Sequence, residues 1–248
     1  MLGALLSGVQ GSLGGNLVGV YLRGSLAHGD FIPETSDVDV LAATERPVDE
    51  AEFAALESLH ARLAALPNPY AGRLEIAYVD RAALRRFRPG LSHPTLGQGE
   101  TLARREHGTN WVLERRTVRE HGITLSGPSP RSLIDPISFE ELRLAVVERL
   151  KYWAEWAETQ EEPEWLAPRR AAAAYVVETM CRALHTLARG ELSSKRRAVE
   201  WATRALPEPW RTTAARSRQW RTDNTPDPSI APEVTQFILW AASKHTRA

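Results

Sequence analysis

One cysteine, Cys181, stands in 248 residues, so no intrachain disulfide can hold this chain together. It lies within an apolar helical pattern, which suits a reducing compartment and, with the features below, a cytoplasmic location. Neither sign of charge is in excess. Lys plus Arg and Asp plus Glu each number 31, which removes any global pull toward nucleic acid or an anionic membrane. The apolar N-terminus has no Lys or Arg before Arg23, and Gly3, Gly8, Gly11, Gly14 and Gly15 interrupt it. It therefore reads as neither a secretory signal nor a spanning helix. REHG at 105–108 recurs at 119–122 without any wider repeat. What is left is a soluble chain long enough for two modest domains with real cores.

The informative stretch runs from Val18 to Ala43. Leu17 to Leu22 is a short apolar run that ends at Gly24-Ser25, the pattern of a strand entering a tight turn. Glycine there lets backbone N–H groups approach an anion, and the serine hydroxyl adds a donor. Eleven residues beyond Ser25, Ser36-Asp37-Val38-Asp39 opens a second apolar run. Strand alternation puts Asp37 and Asp39 on one face, with Val38 and Val40 on the other. Two carboxylates so placed repel each other unless a cation intervenes, and hard divalent metals prefer oxygen ligands. A phosphate-binding turn beside such a pair is the equipment of phosphoryl or nucleotidyl transfer.

A helix is expected next. Asp49 caps it with Glu52 three residues on, Val48 and Phe53 occupy staple positions, and Phe53, Leu56, Leu59, Leu63 and Leu66 form its stripe. Arg73 to Val79 then reads as a strand with Leu74 and Ile76 on one face and Glu75 on the other. A glutamate inside an apolar strand is either an edge residue in water or a functional group, because an unpaired buried charge is costly.

Taken together, Gly24-Ser25, the spacer and Asp37-x-Asp39 resemble the nucleotidyltransferase superfamily, and within it the aminoglycoside adenylyltransferases of the streptomycin/spectinomycin type. The resemblance implies that the first strand and turn, with Gly24, Ser25 and Ser36, bind the nucleoside triphosphate. It implies that Asp37 and Asp39 hold magnesium, two ions in the full mechanism. It makes Glu75 the third carboxylate, a metal ligand and the general base.

The pattern changes near residue 127. Upstream, strands and helices alternate, closing with a helical stretch near 109–121 and a short strand at 123–126. Gly127-Pro-Ser-Pro130 opens a linker that runs to Asp135-Pro136. Downstream, Ser138 and Glu141 form a capping box, followed by Leu142, Val146, Leu150, Trp153 and Ala157 on one stripe. A second helix carries Ala171 to Leu187 and stops at Gly190, a third begins near Ser193-Ser194, and others follow at about 207–220 and 232–246. The expected fold is α+β: a nucleotidyltransferase domain over 1–134, a small mixed β-sheet with helices, then an all-α helical bundle over 135–248.

Acidic residues prevail from 135 to 165 and basic ones from 166 to 222. Most of these are solvated helix faces. By their spacing across the Gly190 turn, Arg182 and Lys195 match the family's triphosphate-binding cations, with Arg189, Arg196 and Arg197 as neighbouring alternatives. The family's acidic and aromatic drug pocket has no clear counterpart. The stretch from Pro168 to Ala174 is basic and then bland, no carboxylate follows until Glu178, and an aromatic expected near Glu100-Thr101 is missing. Trp111, Trp153, Trp156 and Trp165, with Glu155, Glu158, Glu161, Glu162 and Glu164, could rebuild it, although tryptophans at helical spacing are usually core.

The resulting expectation is a monomeric enzyme that moves AMP from ATP to a hydroxyl of a small molecule, an aminoglycoside or aminocyclitol, with magnesium and with release of pyrophosphate. The site would lie between the two domains. No membrane or nucleic-acid partner is expected. Transfer to a protein or nucleic-acid hydroxyl, or a catalytically silent nucleotide-binding or toxin-neutralising module, are the alternatives. Three clustered carboxylates argue against a silent site, which has no chemical need for them.

Overall fold

The computed structural model of the chain describes residues 1–159 and 169–245. The chain divides into two compact units, Met1–Ile137 and Ser138–Ala248. Among the described residues no helix is long and apolar enough to cross a membrane.

The first unit is built on a six-stranded mixed sheet in the order β5-β4-β3-β2-β1-β6. Its elements are α1 (Leu2–Leu13), β1 (Leu17–Leu22), α2 (Gly24–His28), β2 (Val38–Thr44), α3 (Glu50–Ala64), β3 (Leu74–Asp80), α4 (Arg81–Arg85), β4 (Ser92–Leu96), β5 (Ala103–Glu106), α5 (Asn110–His121), β6 (Ile123–Ser126) and α6 (Pro130–Leu133). β1 and β2 pair antiparallel, whereas β2 and β3 run parallel. The parallel pair needs a crossover, and α3 supplies it. The Asp49 side chain accepts the Glu52 N–H at 2.9 Å while Glu52 accepts the Asp49 N–H at 3.0 Å, the expected capping box.

The apolar core gathers α1 and α3 on one face of the sheet. Leu5, Val9, Leu56 and Leu59 meet Val20, Val38, Val40, Leu74 and Ile76. α1 was not foreseen, because Gly3, Gly8 and Gly11 break its pattern. Gly8 is required for close packing: a Cβ there would collide with the Leu59 side chain. β4 and β5 were also unforeseen, since Pro94 and a run of charges obscure them.

Because Val38, Val40, Leu74 and Ile76 point into this core, the alternating residues Asp39 and Glu75 lie on the opposite face. Asp135, assigned from the sequence to the second domain, pairs with Arg85 and Arg86, and its N–H donates to the Arg85 carbonyl. Residues 135–137 therefore belong to the first unit.

The second unit is helical: α7 (Phe139–Thr159), α8 (Arg170–Arg189), α9 (Lys195–Ala205), α10 (Trp210–Trp220) and α11 (Ala231–Ser243). Ser138 and Glu141 form the capping box of α7. α8 ends at Gly190 in the left-handed conformation, φ 74°, which favours glycine. Arg170 at the start of α8 pairs with Asp223 and Asp227, tying down the segment between α10 and α11. Trp153, Val176, Met180, Cys181 and Phe237 are core.

Candidate nucleotidyl-transfer site

β1 delivers Arg23, Gly24 and Ser25 to the edge of β2. The Arg23 N–H donates to the Asp39 carbonyl at 2.9 Å, which fixes the turn against the second strand. Gly24 has φ 59°, and a Cβ there would collide with the Asp39 carboxylate. Only glycine satisfies both the left-handed backbone and this contact. The Ser25 hydroxyl is buried and, among the described residues, has no hydrogen-bond partner. It is a donor awaiting an acceptor, as a phosphate oxygen would be.

Asp39 and Glu75 stand directly opposite each other in the parallel β2–β3 register. Asp37 immediately precedes β2. Ser36 Oγ accepts the Ile32 N–H at 2.9 Å and the Ser36 N–H donates to the Ile32 carbonyl, so Ser36 closes the turn that presents Asp37.

Two further residues were missed in the sequence. Arg23, one-tenth exposed, lies 3.3 Å from Asp39, 3.6 Å from Glu75 and 2.8 Å from Glu114. Burial opposes its charge, but Glu114, Asp39 and Glu75 outweigh burial and raise its pKa. The signal was an arginine ending an otherwise apolar strand run; Glu114 had none beyond its place one turn after Trp111.

Glu75 is pushed up to about 7 by burial first and by Asp39 next, with Asp37 and Glu114 adding to the rise and Arg23 opposing it. A carboxyl so poised can exchange a proton at neutral pH.

Among the described residues no group of three His, Cys, Asp or Glu side chains is placed so as to hold a metal ion. Asp37, Asp39 and Glu75 nevertheless fit a hard cation by chemistry: oxygen donors gathered at one strand end, with a demand for positive charge that Arg23 meets in part.

In the second unit Arg182 lies on α8 and Lys195 opens α9. The Lys195 ammonium sits 3.7 Å over the Tyr175 ring. Tyr175 precedes Arg182 by seven residues, two helical turns on the same face, so both cations serve one side of α8. Arg196 and Arg197 are exposed, as is Arg189.

The residues weighed for an acceptor pocket scatter. Trp111 is buried and stacks on His107 at 3.6 Å, and Trp153 is buried with Trp156 against its edge. Glu178 is buried and paired with Arg221 at 3.4 Å. Glu155 and Glu158 are exposed on α7. Trp165, Glu161, Glu162, Glu164 and Pro168 lie outside the described residues.

Comparison with known proteins identifies two family models in succession. Residues 11–82 match a nucleotidyltransferase domain, and residues 132–242 match the C-terminal domain of aminoglycoside adenylyltransferases. The chain is an aminoglycoside adenylyltransferase-like nucleotidyltransferase.

An aminoglycoside (3'') (9) adenylyltransferase of Escherichia coli is 24% identical over 247 residues, covering 93% of this chain and 88% of its own. A spectinomycin 9-adenylyltransferase of Staphylococcus aureus is 25% identical over 210 residues, covering 81% and 76%. The crystal structure of a spectinomycin adenyltransferase from Enterococcus faecialis, determined with ATP and spectinomycin, superposes with a TM-score of 0.76 at 14% identity over 99% of this chain and 98% of that one. That likeness establishes the α+β fold of this chain, a mixed sheet with helices followed by a helical region.

Proposed function

We propose that this enzyme transfers AMP from ATP to a hydroxyl of an aminoglycoside or aminocyclitol antibiotic, of the streptomycin or spectinomycin type, and releases pyrophosphate. The observation that carries the reading is the in-register pairing of Asp39 with Glu75 beside the Gly24–Ser25 turn. The named activities of the Escherichia coli and Staphylococcus aureus relatives support the adenylyl group and the acceptor class.

In this reading the acceptor hydroxyl attacks the α-phosphorus in line. An oxygen–phosphorus bond forms, the bond to the pyrophosphate oxygen breaks, and the hydroxyl proton passes to a Glu75 carboxylate oxygen. The Ser25 hydroxyl and the backbone at Gly24 hold the β- and γ-phosphates, and Ser36 keeps the turn around them in shape. Arg182 would contact phosphate oxygens through its planar fork and Lys195 as a point charge. Magnesium held by Asp37, Asp39 and Glu75 would supply Lewis-acid polarisation of the phosphoryl oxygens. Exposed Glu155 and Glu158 suit a polycationic acceptor. All proposed residues come from one chain, so a monomer suffices, and dependence on ATP fits the cytoplasm.

Mass spectrometry of streptomycin and spectinomycin incubated with the enzyme, ATP and magnesium tests the proposal. One AMP added to either drug supports it; unmodified drugs across an aminoglycoside panel would leave the acceptor assignment untenable.

A further inference from the structure

Arg23 is a buried cation placed among carboxylates that the proposed function assigns to metal and base chemistry. We infer that Arg23 and Glu114 form a positioning pair: the guanidinium holds Asp39 and Glu75 in place and competes with a divalent cation for them, while Glu114 draws it back. The inference rests on the roles proposed above for Asp39 and Glu75.

The geometry over-determines where Arg23 sits. Its N–H donates to the Asp39 carbonyl, its Nε to the Val40 carbonyl at 3.4 Å, and its guanidinium lies 5.7 Å from the Trp111 ring centre. Trp111 is itself wedged against His107, whose Nε2 lies 2.9 Å from Thr95 Oγ1. Trp111 and Glu114 are one turn apart on α5, so the helix offers the ring and the carboxylate from the same side.

The nearest carboxylate is Glu114 at 2.8 Å; Asp39 and Glu75 are farther, at 3.3 and 3.6 Å. This order is what a retracted counter-ion requires. Arg23 is close enough to offset the mutual repulsion of Asp39 and Glu75, yet the Nη1 that faces Asp39 at 3.3 Å makes its shorter contact, 2.8 Å, to Glu114. A pair that served packing alone would have no reason to reach Asp39 and Glu75.

The two residues must then act on metal affinity with opposite signs. Arg23→Met removes a like charge from the cation site and leaves its carboxylates less ordered. Magnesium should bind about tenfold more tightly, while kcat falls about hundredfold through misplacement of Glu75. Glu114→Gln removes the retaining charge, so the guanidinium shifts onto Asp39 and Glu75 and magnesium binds more weakly. Arg23→Lys keeps the cation and should return the magnesium midpoint toward the wild-type value.

The experiment titrates magnesium into wild type and these variants with a non-hydrolysable ATP analogue present, reading calorimetric heat and unfolding temperature, with kcat and KM measured alongside. Opposite shifts of the midpoint in Arg23→Met and Glu114→Gln carry the inference. Shifts in the same direction, or none, overturn it. If Arg23→Met does not fold, Glu114→Gln decides alone: an unchanged midpoint is contrary, a weakened one supportive. A wild-type protein indifferent to magnesium would instead overturn the proposed function, and the positioning role with it.

Discussion

Glu75→Gln should make the metal-free protein more stable at pH 8 and leave it unchanged near pH 4.5. Glu75 titrates at about 7 in the folded protein, against an ordinary 4.5. The folded site therefore holds this proton more tightly than the unfolded chain does. Below pH about 4.5 both states carry it and the site costs nothing; as pH rises through about 7 the folded site must give it up, and stability is lost.

Glutamine imitates the protonated form at every pH. At ~1.4 kcal/mol for each pH unit that a pKa moves, a fully buried group would give ~3 kcal/mol. One-third of the Glu75 side chain is exposed, and solvent screening reduces this to roughly 1–2 kcal/mol. That corresponds to a rise in unfolding temperature of about 3–6 °C for a chain of this size.

The assay is thermal unfolding in chelator at pH 4.5, 6 and 8. With magnesium and an ATP analogue at pH 8 the order should reverse, because the wild-type carboxylate then has a cation to hold. A variant less stable than wild type at pH 8 in chelator would refute the reasoning, since the Arg23–Glu75 pair would then outweigh burial and the neighbouring aspartates.

Other substitutions separate the roles further. Asp37→Asn and Asp39→Asn should each abolish transfer, and Asp39→Asn should also cost folding stability because Arg23 loses a partner; comparing turnover with melting temperature checks both. Gly24→Ala places a Cβ against Asp39 at a positive φ and should destabilise by ~1–3 kcal/mol while removing activity, measured by urea unfolding and turnover. Arg182→Ala should weaken ATP binding in a calorimetric titration without lowering the melting temperature of the nucleotide-free protein. Glu178→Ala leaves Arg221 without its buried partner and should destabilise by about 3 kcal/mol, yet shift KM for the acceptor little if the enzyme still folds.

The site was legible where chemistry and local pattern coincide. Strand alternation places Asp39 and Glu75 on the face opposite the core, while Gly24-Ser25 follows β1 and Asp37 directly precedes β2, so this spacing needs no tertiary information. Arg23 and Glu114 were not legible, because their meaning arises only when α5 packs beside the β1–β2 turn, 91 residues apart in sequence. α1 was hidden for a related reason. Its glycines read as breaks, yet Gly8 is what lets the helix approach Leu59. Glu178, the first carboxylate of its stretch, proved to be the buried partner of Arg221, which sequence spacing could not show.

Pyrophosphate release tests the central claim most directly. With ATP, magnesium and an aminoglycoside panel, wild-type enzyme should release pyrophosphate only when an acceptor is present, and Asp37→Asn should release none. Release independent of Asp37, or no release with any acceptor, would contradict the assignment of this carboxylate cluster to nucleotidyl transfer.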